Sequence, residues 1–180
     1  MMRTKFGLLA ILLLAFTGGA LQAQQSESNP VSNAVRKLEA TESKNIIAAV
    51  EEMPADKFGF RPTPQQITFG HLVVHMVGAN YGLCSMISGV KAPAMPKLAD
   101  SDPKDTLVPA LKSSFDFCEK SLAKVDDSTL GEQVQFFGGR TMSRGNAMIV
   151  FAQDYGDHYS TAASYLRLNA LLPPTAQPRR

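Results

Sequence analysis

The sequence predicts an all-α fold, an antiparallel four-helix bundle with a short hairpin or loop before the last helix. Three observations carry that reading. Four segments of similar length place apolar residues at three- and four-residue intervals, the period of a helix face. Clusters of proline and glycine separate them, and only one short stretch alternates in the manner of a strand. No sequence unit repeats, so each helix must bury its apolar stripe against the other three.

The first helix spans Val31 to Val50, opened by Asn29-Pro30 and carrying Val35, Leu38, Ile46 and Val50 as its apolar positions. The following stretch, Glu52 to Pro64, holds three prolines and reads as a connector whose Phe58 and Phe60 tuck over one end of the bundle. The second helix begins after Thr68, a good N-cap, and stops at Gly89, with Leu72, Ala79, Leu83 and Met86 as its stripe. A loop, GVKAPAMPKLADSDPKD, leads into the third helix, Asp105 to Ala123, built on Leu107, Leu111, Phe115, Cys118 and Leu122. QVQFFGGRTMSR then alternates weakly around Gly138-Gly139, which predicts the hairpin or turn. The fourth helix opens near Ser143 and runs to about Leu171, where Leu172-Pro-Pro ends it.

Residues 1–23, MMRTKFGLLAILLLAFTGGALQA, carry two cations at the head, an apolar run from Phe6 to Phe16 and a small-residue end. This is the pattern of a secretory signal peptide, with cleavage expected after Ala23; the alternative is an uncleaved anchor. The run is short for a bilayer, which needs about 20 apolar residues. The expected organisation is therefore a signal peptide, 1–23, followed by one bundle domain, 24–180, in an exported protein of the periplasm or the extracellular space.

The full chain has 18 Lys and Arg against 16 Asp and Glu, and removal of Arg3 and Lys5 makes the mature chain 16 against 16. That balance gives no reason to expect nucleic acid or an anionic membrane as partner, since both demand clustered excess cations. Two cysteines allow one intramolecular bridge. In an oxidising compartment Cys84 and Cys118, each on a predicted helix, would join two neighbours, worth on the order of 3 kcal/mol. The plainer alternative is two buried thiols packing as small hydrophobes.

The polar residues on apolar faces carry the functional reading. In the fourth helix Met148, Phe151, Tyr155, Ala162, Tyr165 and Leu166 form the stripe, and Asp154 and His158 fall within or beside it. Four residues apart, the two side chains stand over successive turns and reach a common point. In the second helix His75 falls on the stripe, His71 sits one turn earlier toward the edge, and Gly78 and Gly82 remove bulk nearby. If these helices face each other, His75, Asp154 and His158 converge as two imidazoles and a carboxylate, a facial set for a divalent transition ion. Spacing equally permits a satisfied core histidine and a plain Asp–His helix pair. It also permits a His71–His75 chelate with an acid from elsewhere. A serine triad of Asp157, His158 and Ser160 or Ser164 is a poor alternative without a Gly-x-Ser-x-Gly turn.

The stretches TFGHLVVHMVGANYGLCSMISG, GGRTMSRGNAMI and DHYSTAASYLRLNALLPP together resemble the DinB-like superfamily of metal-binding four-helix bundles, in order and over nearly the whole mature chain. The resemblance implies one histidine ligand in the second helix, matched by His75, and two histidines four apart in the fourth. His158 matches the second of these, whereas Asp154 stands where the family has the other. A carboxylate still ligates zinc, nickel, manganese or iron, with a preference moved toward harder ions. The resemblance further implies metal-dependent chemistry on a small molecule, including hydrolysis, thiol-cofactor transfer and isomerisation. Export weakens the thiol-transfer option. Asp157 reads as an orienting or basic group, or as a solvated charge beside Ser160, Thr161 and Ser164. The rival expectation is a non-catalytic binding or structural bundle, dimeric or not, that has lost its metal.

Overall fold

A computed structural model describes residues 27–178, and the predicted signal peptide lies outside them. Four helices form the body: α1 (Pro30–Glu52), α2 (Phe69–Ser88), α3 (Lys104–Leu122) and α4 (Arg144–Leu168). Between α3 and α4 strands β1 (Gln133–Phe136) and β2 (Arg140–Ser143) pair antiparallel, with Gln133 opposite Ser143 and Phe136 opposite Arg140. Gly138 and Gly139 turn this hairpin at φ of 69° and 70°, a conformation that costs glycine nothing.

The helix limits follow from local chemistry. Thr68 caps α2, its hydroxyl accepting from the His71 N–H, and Gly89 ends it at φ 74°. Ser143 caps α4 through the Asn146 N–H. The fourth helix ends at Leu168, three residues before the expected Leu171, because Ala170 turns the chain at φ 60°. Pro30 occupies the first turn of α1, and the Asp127 carboxylate, from beyond α3, accepts from the Val31 and Ser32 N–H groups at 3.0 and 2.8 Å. Carbonyls at three helix C-termini accept from cations at the start of another helix: Met53 from Lys104, Leu122 from Arg36, and Ile87 from Arg144.

Those contacts give the helix directions. The start of α1 meets the end of α3, and the start of α4 meets the end of α2, so both pairs are antiparallel. The α2–α3 pair runs in one direction instead: Asn80 donates to Ser114 and Cys84 bonds Cys118, both with an offset of 34 residues. The Cys84–Cys118 bridge therefore ties α2 to α3, with Cα atoms 5.2 Å apart. Each helix packs on two neighbours in the cycle α1–α3–α2–α4, which leaves α1 and α2, and α3 and α4, on the diagonals.

The core stripes of α3 and α4 are those predicted, Leu107 to Leu122 and Met148 to Leu166, all buried. Helix α1 keeps Val35, Ile46 and Val50 inside as expected and departs at one position, whereas α2 is rotated from the expected stripe. In α1 Leu38 is 37% exposed and Glu39, next in sequence, takes the inner position at 3% exposure. In α2 Phe69, Val73, Met76, Asn80, Cys84 and Ile87 join Leu72 and Leu83 inside, while Ala79 and Met86 are only half-buried. The connector behaves as expected: Phe58 is buried edge-on to Phe69 at 5.3 Å, and Phe60 stands edge-on to Tyr165 at 6.1 Å.

Gly70 shows how closely the α2–α3 loop presses on the start of α2. A Cβ there would run into the Asp100 carbonyl oxygen, and the Gly70 N–H already donates to the Phe58 carbonyl at 2.8 Å. Gly70→Ala is expected to destabilise the domain by about 2 kcal/mol through overpacking. A urea denaturation curve superimposable on that of the wild type would refute this.

Candidate functional site

The α2–α4 interface brings two of the three histidines together, with ring centroids of His75 and His158 5.2 Å apart and the rings edge to face. His158 is buried at 5% exposure, on the stripe expected of it. His75 departs from expectation. The rotation of α2 puts it at the exposed rim of the interface, where it lines an open cleft of about 450 Å³ together with Asp154. The rest of that lining is apolar: Val74, Gly78, Ala79 and Leu83 from α2, and Phe137 from the tip of the hairpin. Gly78 and Gly82 do make room, and loop side chains border the space. A Cβ on Gly82 would meet the Phe137 ring at 3.4 Å, and one on Gly78 the Met95 methyl at 3.7 Å.

Asp154 is the unusual member. Its side chain is 30% exposed, yet its Oδ2 is buried and has no hydrogen-bond partner. His158 Nδ1 stands 3.5 Å away, too far for a well-formed hydrogen bond. Burial lowers the His158 pKa from its ordinary 6.5, and His75 adds to that effect, while Asp154 and Asp157 oppose it. The imidazole is thereby held neutral at pH 7, with a lone pair available.

The donor types and helix positions thus fit a divalent ion, two imidazoles and a carboxylate with an orphaned oxygen. Among the described residues, however, no three His, Cys, Asp or Glu side chains converge closely enough to hold one as they stand. The other sequence candidates lie outside this arrangement. His71 is bound through Nδ1 to Asp100 at 2.8 Å on the surface. Asp157, Ser160 and Ser164 are exposed, and the Ser164 hydroxyl donates to the Ser160 carbonyl, so no serine triad is assembled.

Two features escaped the sequence reading. Phe137 reaches the cleft only because the Gly-Gly turn folds the hairpin tip onto α2, and GG marks the turn without its direction. Glu39 lies in the core with its pKa pushed up to about 7, first by burial and then by Glu119. The fully buried Tyr155 hydroxyl, with no hydrogen-bond partner, is pushed up by burial, by Glu39 and by Asp154. The four-residue step from Val35 to Glu39 was the available signal.

Solved structures share this architecture. A DinB-like protein from Bacillus subtilis superposes with a TM-score of 0.65 at 16% identity, covering 82% of this chain and 100% of that one. A DinB-like protein from Bacillus cereus ATCC 10987 gives 0.66 at 16% identity, over 79% and 95%. The mycothiol-dependent maleylpyruvate isomerase gives 0.59 at 14% identity over 72% of this chain, which spans 59% of the isomerase. At such identities the likeness is one of fold. No curated protein matches the chain. The family model of the DinB superfamily matches residues 37–162, from the middle of α1 to the inner face of α4, and the chain belongs to that superfamily.

Proposed function

We propose that His75, Asp154 and His158 hold one divalent metal ion, and that the cleft beside them makes the protein a metal-dependent hydrolase or related enzyme acting on a small molecule. The observation that carries this is Asp154 Oδ2, buried and without a hydrogen-bond partner beside His158. A carboxylate oxygen in that position is costly unless a cation or donor satisfies it. His158 would supply a neutral nitrogen from the core side, Asp154 a charge-neutralising oxygen, and His75 a nitrogen from the exposed rim, where it is free to turn. A bound ion of this class lowers the pKa of its water and polarises a substrate oxygen. Isomerisation, the reaction in the name of one structural neighbour, needs the same polarisation and is the runner-up reaction class. The head of the chain supports export to the periplasm or beyond, and the even charge balance supports a small molecule over nucleic acid as partner.

Elemental analysis of untagged protein refolded with zinc, nickel, manganese or iron tests the reading. Wild type is expected to retain close to one ion per chain, and His75→Ala and Asp154→Ala to lose it. Added metal should raise the wild-type melting temperature by ligand linkage and leave Asp154→Ala unmoved. The metal-free Asp154→Ala variant should melt no lower than metal-free wild type, since it removes an unsatisfied buried oxygen. A wild type without stoichiometric metal would leave the alternative, a non-catalytic binding or structural bundle that has lost its metal.

A further inference from the structure

The cleft's lining also bears on what kind of molecule enters it. Apart from His75 and Asp154 its walls are hydrocarbon, and none of its lining residues is Lys or Arg. Phosphorylated and polycarboxylate substrates are held by cationic or helix N-terminal groups, and here the fixed charge is a carboxylate. With one divalent ion and one aspartate, the centre would carry a single net positive charge, enough for one anionic or strongly polar donor. The volume, about 450 Å³, lies within the range of small-molecule sites.

One side chain faces this space for no structural reason the fold supplies. Phe137 stays 43% exposed although it adjoins a core that buries its neighbour Phe136 to 4%. Its ring lies over the bare backbone of Gly82 and edge-on to Phe136 at 5.5 Å, and it lines the cleft together with Val74 and Leu83. Leaving a phenyl ring half in water forgoes apolar burial, which an apolar ligand would recover.

We infer that the cleft selects a small substrate with one polar donor group attached to an aromatic or branched apolar body, and that Phe137 is the specificity-determining wall against which that body packs. The inference rests on the metal reading for the donor group and on the lining alone for the apolar body. Benzohydroxamate and acetohydroxamate present the same donor, so their ratio isolates the wall. Calorimetry on zinc-loaded wild type should give benzohydroxamate an advantage of about tenfold, the size of one good ring contact. Phe137→Ala should shrink that ratio to about threefold or less, with Phe137→Leu between. Inorganic phosphate should not compete with benzohydroxamate. An unchanged ratio in both variants, or phosphate binding as tightly as benzohydroxamate, would overturn the inference.

A second arm needs no metal. Benzamide titrated into metal-free Asp154→Ala should shift the ¹³C-methyl signals of Val74 and Leu83, and those shifts should vanish when Phe137→Ala is added. If wild type holds no zinc, the metal reading fails and this arm alone decides: selective shifts sustain the apolar wall, and their absence removes it.

Discussion

Reduction of the Cys84–Cys118 bridge is expected to lower the stability of the domain by about 4 kcal/mol, the loop-closure value for a separation of 34 residues. For a domain of this size that is a fall of roughly 8 to 16 °C in melting temperature. Both cysteines are fully buried, so reductant should act slowly on the folded protein and quickly once urea opens it. Comparing oxidised wild type, reduced wild type and Cys84→Ala/Cys118→Ala separates the cross-link from the packing: reduced wild type retains the sulfur volume and the double variant does not. Equal midpoints for the oxidised and reduced forms would show that the bridge adds nothing. Two alkylated cysteines in protein taken without reductant directly from its native compartment would show that it does not form there.

Glu39→Gln is expected to stabilise the protein above neutral pH by about 3 kcal/mol, and to do little at pH 4.5. The folded-state pKa, near 7, exceeds the ordinary 4.5, so folding takes up a proton between those values. Stability associated with this group is fully present below pH 4.5, falls as the pH rises, and is lost above about pH 7, a span worth about 1.4 kcal/mol per unit. Urea midpoints at pH 5 and pH 8 would measure it. Wild type should lose stability across that interval and Glu39→Gln should lose much less; parallel profiles would remove the assignment. An acid kept in the core at such a cost is a polar group for which packing alone gives no account.

The helices were legible because their signals are local. Thr68, Gly89, Ser143 and the Gly138-Gly139 turn act through their own backbones, and the structure has each in its expected role. The Cys84–Cys118 pairing was the one bridge a count of two allows, expected on condition of an oxidising compartment. What did not follow is rotation about the helix axis. In α1, where apolar residues are sparse, Glu39 takes the inner place expected of Leu38; in α2 apolar residues on nearly every side leave the phase loosely specified, and His75 turns from an inner position to the rim. Helix α4, with nine buried positions, is read correctly, and Asp154 and His158 with it. Phe137 was invisible for another reason, since a hairpin's tilt depends on what it lands on. The candidate site was therefore legible in its residues, His75, Asp154 and His158, while the exposure of His75 and the approach of Phe137 came only in three dimensions.

The cycle of neighbours, α1–α3–α2–α4, has a consequence for how the chain reaches its native state. In an up-and-down bundle each helix folds back onto the one just made. Here the helices consecutive across the first and last connections are diagonal, and α1 must wait for α3, which begins 74 residues after it, Pro30 to Lys104. Only α2 and α3, whose polypeptide link is also the loop the disulfide closes, can pair early. Folding should consequently be slower than for an up-and-down bundle of equal length, because its contacts span longer stretches of chain. During that delay the apolar stripes of α1 and α4 are open to water, and the chain must cross this interval without the partner that would cover them.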